Sequence, residues 1–210
     1  HSRWVIEALR ESLRLDGREQ ELPQLLEANN KTPETFLAAA DDTAKSQLQS
    51  KGLEVSAQSP IGFAVTGNPE PYLELGNIRV QDLGSQLVAL ATAELGDMGG
   101  KTLDMCSGPG GKSAILQGQI RAREGSLDCM EPQEHRAQLV REALGQEPIA
   151  NVIVAPGQQA KVGHYDTILL DAPCSGLGSV RRKPESRHRK KQEQLSSLTK
   201  VQRELLEAAY

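Results

Sequence analysis

The sequence is poor in aromatic residues and has no long apolar run. Aromatic side chains make up 3% of the 210 residues, which disfavours a single-strand-binding surface built from stacked rings. No stretch approaches the ~20 consecutive apolar residues that a membrane-spanning helix needs. The first residues also lack the basic and then apolar pattern of a signal peptide. We therefore expect a cytoplasmic protein with no membrane partner.

Cysteine is scarce as well. Cys106, Cys129 and Cys174 are odd in number, and no C-x-x-C spacing occurs among them. This pattern disfavours a disulfide framework and a cysteine-rich zinc site, and it favours a reducing compartment. We expect no metal ion, and for Cys106 and Cys129 we favour a buried structural role.

The charge of the whole chain does not indicate a nucleic-acid partner, since the net charge is only −4. One segment differs from the rest. Residues 181–191 read RRKPESRHRKK, with seven Lys or Arg residues and one Glu. Such a run is either a solvated loop or a binding patch, and its neighbours decide which.

The first 70 residues predict a small α+β module. Apolar residues recur at helical spacing in 3–15, and a shorter helix is expected at 22–28. The later part of this module predicts strands at 35–39, 53–57 and 61–65 and a helix from about 42 to 51. Gly67-Asn68-Pro69-Glu70-Pro71 is a cluster of helix and strand breakers. We place the domain boundary there, which gives domains 1–70 and 71–210.

Residues 71–210 predict an α/β fold in which strands and helices alternate. Apolar, β-branched strands separated by helices are typical of a parallel, doubly wound sheet. The expected strands are 101–105, 126–131, 151–154 and 165–171, and the expected helices are 85–95, 112–121 and 132–144. The last helix begins near Gln192 and is still running at Tyr210. A sheet that stops after four strands leaves an edge open, so we expect the chain to be part of a longer protein.

Three features follow predicted strands, where sheets of this class bind ligands. The first is a turn of small residues, Cys106 to Gly111, between a strand and a helix; the alternative is a plain tight turn. The second is Glu131, which could accept hydrogen bonds from a ribose diol or could simply be solvated. The third is Asp171-Ala172-Pro173-Cys174, where an acid and a thiol stand together, although a structural role for Cys174 stays open.

Several motifs taken together resemble one protein family. They are DMCSGPGGKS (104–113), EPQEHR (131–136), LLDAPCSGLGSVRRKPESRHRK (169–190) and VQRELLEAA (201–209), and the upstream segment IRVQDLGSQLVAL (78–90) is also similar. In this order they resemble the RsmB/NOP (Sun) family of S-adenosylmethionine-dependent RNA cytosine-5 methyltransferases, above all its bacterial 16S rRNA members. The N-terminal stretch resembles the small RNA-binding module of that family. The resemblance implies an incomplete Rossmann-like methyltransferase sheet, its first four strands, preceded by a small α+β module.

The resemblance also implies roles for individual residues. Asp171 would contact the cofactor or the target ring and help to polarise the cytosine at ring nitrogen 3, with Pro173 and Cys174 beside the base. The basic residues Arg181, Arg182 and Lys183 would contact RNA, since Lys and Arg neutralise phosphates. The target would be an unpaired or flipped cytosine of 16S rRNA. The residues implied to bind S-adenosylmethionine are Cys106, Ser107, Gly108, Pro109, Gly110, Gly111, Lys112, Glu131 and Asp171.

The sequence departs from the family in three ways. It contains no Thr-Cys-Ser motif, which carries the nucleophilic cysteine in the family. Pro156 stands where the family has an Asp for the adenine amino group, and His188 stands where it has a Trp. Two alternatives therefore stay open: a non-catalytic module that binds RNA or cofactor, and a cytosine-5 methyltransferase whose nucleophile is Cys174 itself.

Overall fold

A computed structural model of the chain describes residues 2–146, 148–161, 163–184, 189 and 191–210. The chain forms two compact units. One unit contains residues 1–33 and 173–202, and the other contains 34–172 and 203–210. No helix in the described part of the chain is long and apolar enough to cross a membrane.

The first unit is built mainly from helices. Helix α1 spans Arg3–Leu15 and α2 spans Leu22–Ala28, both as predicted. A short 3-10 helix follows at Leu177–Ser179. The last helix of the chain, Gln194–Ala209, has residues in both units.

The second unit contains an antiparallel sheet of three strands. Its strands are β1 (Thr35–Ala39), β2 (Gly62–Val65) and β3 (Ile78–Val80), in the order β2-β1-β3. The helices attached to it are α3 (Asp42–Ser50) and α4 (Glu70–Leu73). Leu37 and Phe63 of this sheet are completely buried.

Two details of this sheet differ from the sequence prediction. The strand predicted at 53–57 is wrong, because Val55 forms only an isolated bridge to Phe63 and no continuous ladder. Strand β3 was not predicted, since three residues are too few to show an alternating pattern. The domain boundary near residue 70 stays a prediction, while this sheet extends beyond it to Val80.

The α/β fold is confirmed by a parallel sheet of four strands. These are β4 (Lys101–Asp104), β5 (Ser126–Met130), β6 (Ala150–Ile153) and β7 (Thr167–Leu169), all parallel. Helices α5 (Leu83–Leu95), α6 (Gly111–Arg121) and α7 (Glu134–Leu144) belong to the same unit. The final helix is α8 (Gln194–Ala209).

The strand order of this sheet is β6-β5-β4-β7. The chain moves outward from β4 through β5 to β6, then returns to add β7 on the other side of β4. The order therefore reverses between β4 and β7. In open α/β sheets the crevice at the carboxyl ends of the strands at such a reversal is where ligands bind.

Candidate cofactor site

A cavity of about 240 Å³ lies at the carboxyl ends of β4 and β7. Its walls come from the turn between β4 and α6, from the residues after β7, and from the segment that joins β3 to α5. Most residues of the predicted cofactor turn contribute to it. The predicted residues that line it are Cys106, Ser107, Gly108, Pro109, Gly111, Lys112 and Asp171.

Asp104 ends β4 and lies at the floor of this cavity. Its carboxylate is buried, with 1% of the residue exposed. Oδ2 accepts a hydrogen bond of 2.7 Å from the Ser113 hydroxyl, whereas Oδ1 makes no hydrogen bond of good geometry with a described residue. Burial raises the pKa of Asp104 to about 6, although the hydrogen bond from Ser113, the charge of Lys112 and the backbone of Cys106 act in the opposite direction. The carboxylate of Asp104 is therefore held inside the protein at this strand end.

Gln81 supplies an unsatisfied acceptor in the wall of the same cavity. It directly follows β3 and is 9% exposed, and no described residue donates a hydrogen bond to its side-chain oxygen Oε1. Its backbone is fixed from two directions. Its amide nitrogen donates to the carbonyl of Phe36 at 3.0 Å, and its carbonyl accepts from Nε2 of the buried Gln86 at 3.1 Å.

Lys112 and Asp171 form an ion pair at the mouth of the cavity. Lys112 Nζ lies 2.6 Å from Asp171 Oδ2 and 3.4 Å from the Ser85 hydroxyl. The side chain of Lys112 is mostly buried, while about half of the Asp171 side chain is exposed. The pair connects the first turn of α6 to the end of β7, so two residues that are distant in sequence border one site.

The glycines of the turn are required mainly by the protein itself. Gly110 has a φ of +91°, and a Cβ there would lie 2.5 Å from that of Ala143 on α7. A Cβ on Gly108 would collide with the Glu131 carboxylate. Glycine is thus the residue that lets α6 begin against α7 and lets the turn pass beside Glu131.

Glu131 is buried behind this turn, with 2% of the residue exposed. Its Oε1 accepts from the amide of Gln133 at 3.1 Å, and its Oε2 lies 3.5 Å from Arg136, which also donates to the carbonyl of Gly108 at 2.8 Å. Glu131 and Gly110 are not among the described residues that line the cavity. The structure therefore brings Glu131 next to the turn but not into the cavity.

Cys106 and Cys129 have the properties of structural thiols. Burial, together with the negative charge of Asp104, raises the pKa of Cys106 to about 11 and that of Cys129 to about 12. Both thiols are therefore protonated near neutral pH, and neither has the thiolate character that a nucleophile requires.

Cys174 is exposed and belongs to the first unit. It lines a cavity of about 220 Å³ together with Trp4, Lys191 and residues at the start of α8. The neighbouring Pro173 accepts a hydrogen bond of 2.8 Å from Gln202 through its carbonyl. Of the three cysteines, Cys174 is the most exposed, Cys106 is half-buried and Cys129 is buried.

The basic residues after this loop are accessible to different degrees. Arg181 and Lys183 are exposed, and Arg182 is half-buried. Nε of Arg181 donates a long hydrogen bond of 3.4 Å to the carbonyl of Lys31. The predicted departure at His188 lies outside the described residues.

Pro156 precedes a short 3-10 helix at Gly157–Gln159 and has extended backbone angles. It has no side-chain acceptor for an adenine amino group. Gly157 is buried, and a Cβ on it would lie 2.7 Å from both Met105 and Leu205. The turn after β6 is therefore packed closely against the end of β4.

Sequence reasoning did not identify Gln81, Asp104 or Ser113 as site residues. An acid at the end of the strand before a glycine turn was the available signal for Asp104. Gln81 lies in the segment 78–90 that resembles the family, but its place in the cavity wall depends on the pairing of β3 with β1. In the described part of the chain, no cluster of His, Cys, Asp and Glu could bind a metal ion.

A larger cavity, of about 320 Å³, lies elsewhere in the second unit, near the C-terminal ends of α6 and α7. Two of its polar side chains already bond to the protein. Asn77 donates to Asp41 at 2.7 Å, and Gln117 donates to the carbonyl of Leu144 at 2.8 Å. We assign the ligand site to the cavity of about 240 Å³ because it lies at the strand-order reversal and is lined by most of the predicted cofactor turn.

Known methyltransferases are similar to this chain in sequence. The family model described as 16S rRNA methyltransferase RsmB/F matches residues 92–210. A Mycobacterium tuberculosis protein named as a putative methyltransferase, Rv1407, is 35% identical over 216 residues, which cover 100% of this chain and 47% of that protein. The ribosomal RNA small subunit methyltransferase B of Vibrio cholerae is 29% identical, over 100% of this chain and 50% of its own length. The chain thus spans about half the length of these curated relatives.

Solved structures share the fold. The protein PH0851 aligns with a TM-score of 0.81 at 23% identity, over 98% of this chain and 49% of its own. NSun6 from Pyrococcus horikoshii, solved with SFG, aligns with a TM-score of 0.64 at 15% identity, over 96% of this chain and 78% of its own. The family model covers more than half of the chain, and the chain therefore belongs to the 16S rRNA methyltransferase RsmB/F family.

Proposed function

We propose that this chain carries the methyl-donor site of an enzyme that transfers a methyl group from S-adenosylmethionine to carbon 5 of a cytosine in 16S rRNA. Family membership supports methyl transfer to ribosomal RNA. The observation that carries the cofactor assignment is the cavity at the strand-order reversal, lined by the turn after β4 and by Asp171. One structural neighbour was solved with SFG, an analogue of S-adenosylmethionine.

The residues present fit such a cofactor. S-adenosylmethionine would supply an electrophilic methyl group in this cavity. The turn Cys106 to Lys112 would hold its amino-acid end. Glu131, which lies behind the turn and 3.5 Å from Arg136, is the residue that the family resemblance assigns to the ribose hydroxyls. Pro156 cannot accept a hydrogen bond from adenine through its side chain, so adenine recognition would rest on shape and backbone groups in that turn.

Asp171 would act as a hydrogen-bond acceptor. Its Oδ2 lies 2.6 Å from Nζ of Lys112, and about half of its side chain is exposed. A carboxylate can accept from the exocyclic amine of cytosine, which is the donor that identifies this base.

Cys174 would act at the reaction centre beside Pro173. A thiolate that adds to carbon 6 makes carbon 5 nucleophilic, and a base must then remove the proton from carbon 5 so that the thiolate can leave. The exposed Cys174 is suited to this release step as a base. The nucleophile would be the cysteine of a Thr-Cys-Ser motif, which the 210 residues do not contain.

Covalent trapping separates the two possible roles of Cys174. The substitution Cys174→Ala is made in a protein that spans the full length of the curated relatives. This variant is then incubated with RNA and S-adenosylmethionine. If Cys174 acts in release, the variant accumulates a protein–RNA adduct that survives denaturing electrophoresis. If Cys174 is the nucleophile, the variant forms no adduct while the unmodified protein forms a transient one.

RNA would be bound by the basic segment and by the N-terminal module. The exposed Arg181 and Lys183 and the half-buried Arg182 follow Cys174 in sequence and would contact phosphates flanking the target. Residues 1–70 would position the RNA. The target base would be unpaired or flipped out of its helix, since a paired base hides carbon 5 and carbon 6 from side chains.

Two measurements test the proposal as a whole. Calorimetry of the chain with S-adenosylmethionine should detect binding at one site, and Lys112→Met should weaken it because the ion pair to Asp171 is lost. Tritium release from RNA labelled at carbon 5 of cytosine should accompany methyl transfer by the full-length protein. Binding without tritium release would instead favour a non-catalytic module that binds RNA and cofactor.

A further inference from the structure

The loop that carries Cys174 has little backbone support of its own. Residues 171–176, which follow β7, contain neither helix nor strand. Within the described part of the chain, no backbone-to-backbone hydrogen bond involves residues 171–175. Pro173 has no N–H with which to form one. The direction of the Cys174 side chain therefore depends on contacts that the side chains of other elements make with this loop.

Gln202 on α8 provides such a contact. Its Nε2 lies 2.8 Å from the carbonyl oxygen of Pro173, the residue that precedes Cys174. A carbonyl oxygen can only accept, so the amide of Gln202 donates here. Both residues belong to the first unit, and Gln202 is half-buried. Because a peptide group is planar, fixing this carbonyl also fixes the position of the Cys174 backbone nitrogen and Cα.

The same face of α8 contributes to the surroundings of the thiol. Gln194, Leu195 and Leu198 line the cavity of about 220 Å³ that also contains Cys174. Residues 194, 198 and 202 are four positions apart, and side chains at this spacing lie on one face of a helix. One helix face therefore lines the cavity beside the thiol and also binds the backbone of the loop that carries it.

The proposed release step requires a base at a fixed place. The base takes the proton from carbon 5, the electrons of that bond form the double bond between carbons 5 and 6, and the thiolate leaves carbon 6. The base must lie within hydrogen-bond reach of the proton, and a displacement of about 1 Å can cost about 100-fold in rate. A thiol on a loop without backbone hydrogen bonds needs a further contact to keep this distance.

We propose that Gln202 is a positioning residue for Cys174. Its amide holds the peptide group between Pro173 and Cys174, so that the thiol is presented to the target base in one orientation. Gln202 acts through Cys174 and contacts neither RNA nor cofactor in this role. The inference rests on the proposed function, and it gives a role to a residue of the motif 201–209 that the sequence left without one.

The kinetics of the covalent adduct test this role in a protein that spans the full length of the curated relatives. Formation and decay of the protein–RNA adduct are followed by rapid quenching and denaturing electrophoresis. Gln202→Met keeps a similar volume without an N–H donor, and it should slow adduct decay about tenfold or more. Adduct formation and the KM for S-adenosylmethionine should stay within about twofold, because the bond supports Cys174 alone.

Two further variants make the result specific. Gln202→Glu is ionised and cannot donate to the carbonyl, so it should slow decay at least as much as Gln202→Met. Gln138→Met, on the exposed surface of α7, is the matched control and should change neither rate. Thermal unfolding checks that every variant is folded before the rates are compared.

A double substitution tests whether Gln202 acts through Cys174. In a Cys174→Ala background, Gln202→Met should change adduct decay no further, because the thiol that it positions is absent. If Cys174→Ala abolishes the adduct, Cys174 is the nucleophile; Gln202→Met should then slow adduct formation instead, and the positioning role stands.

Four outcomes would overturn the inference. Equal slowing of formation and decay by Gln202→Met, or the same loss in the Cys174→Ala background, would mean that Gln202 only supports the fold. Unchanged rates in Gln202→Met would mean that the loop keeps its position without this bond. Normal decay in Gln202→Glu would mean that donation to the carbonyl is not required. If the unmodified protein forms neither adduct nor methylated RNA, the proposed function itself is wrong and the inference falls with it.

Discussion

The buried carboxylate of Asp104 should make the stability of the chain depend on pH in a defined way. Its pKa rises from an ordinary value of 3.8 to about 6 in the folded state. At about 1.36 kcal/mol for each tenfold change, this rise corresponds to about 3 kcal/mol of unfolding free energy. The folded state binds the proton more tightly than the unfolded state does, so the stabilisation is complete below pH 3.8 and is lost as the pH rises through about 6.

Replacing this side chain with its neutral isostere, Asp104→Asn, should remove that dependence. The new amide can still accept from Ser113, and any penalty for its own unsatisfied N–H is the same at every pH. The informative quantity is therefore the difference in unfolding free energy between variant and unmodified chain as a function of pH. Between about pH 4 and about pH 7.5 this difference should shift by about 2 to 3 kcal/mol in favour of the variant.

Urea unfolding followed by circular dichroism at half-unit pH steps, without ligand, measures this difference. Asp16→Asn, at an exposed position after α1, is the matched control and should produce a flat difference. A flat difference for Asp104→Asn as well would refute the reasoning, because it would mean that Asp104 is solvated in the folded chain. The same variant should bind S-adenosylmethionine more weakly, as expected when a site residue is kept at the expense of stability.

Three other changes test the remaining geometry. Gly110→Ala should lower the unfolding free energy by about 1–3 kcal/mol in urea titrations, because its φ of +91° disfavours a side chain and α7 leaves no room for one. Iodoacetamide should modify Cys174 in the native chain and Cys129 only after unfolding, as read by peptide mass spectrometry. Replacing Arg181 and Lys183 by Ala should weaken RNA binding and reduce the salt slope by about 0.7 for each phosphate that is no longer neutralised.

Each of these tests has a control in the same chain. Gly178→Ala should be nearly neutral, since nothing lies within 4 Å of a Cβ there and its φ is not positive. Arg123→Ala, at an exposed position just after α6, should leave the salt slope of RNA binding unchanged. The predictions are wrong if Gly178→Ala is as destabilising as Gly110→Ala, if Cys129 reacts before Cys174, or if Arg123→Ala has the larger effect on RNA binding.

The parallel sheet could be predicted because its strands and helices carry strong local patterns. Residues 101–104, 126–130 and 150–153 are strands whose bounds lie close to the predicted ones at each end. The antiparallel sheet was predicted less well. Strand β3 has three residues and forms only because β1 presents an open edge to it, and the segment around Val55 has a strand-like composition but pairs at one residue. Pairing between distant segments decided both cases, and local composition does not report it.

The same distinction holds for the site. The turn at 106–112 and Asp171 were predicted because each follows a strand, and both line one cavity. Gln81 lies in the segment 78–90 that resembles the family, yet no role could be assigned to it, because its place in the cavity wall depends on the pairing of β3 with β1. The burial of Asp104, which raises its pKa, could not be predicted from the sequence either. It depends on how the turn after β4 and the first turn of α6 pack around the carboxylate.

The glycine turn combines two requirements that the sequence alone does not separate. Gly108 and Gly110 are small because Glu131, Arg136 and α7 occupy the space that a side chain would need. The charged groups left for a ligand at the mouth of the cavity are instead Lys112 and Asp171. Substitutions at the two glycines should therefore reduce stability and binding together, whereas Lys112→Met should reduce binding more than stability. That separation is what identifies which residues shape the cavity and which residues contact its ligand.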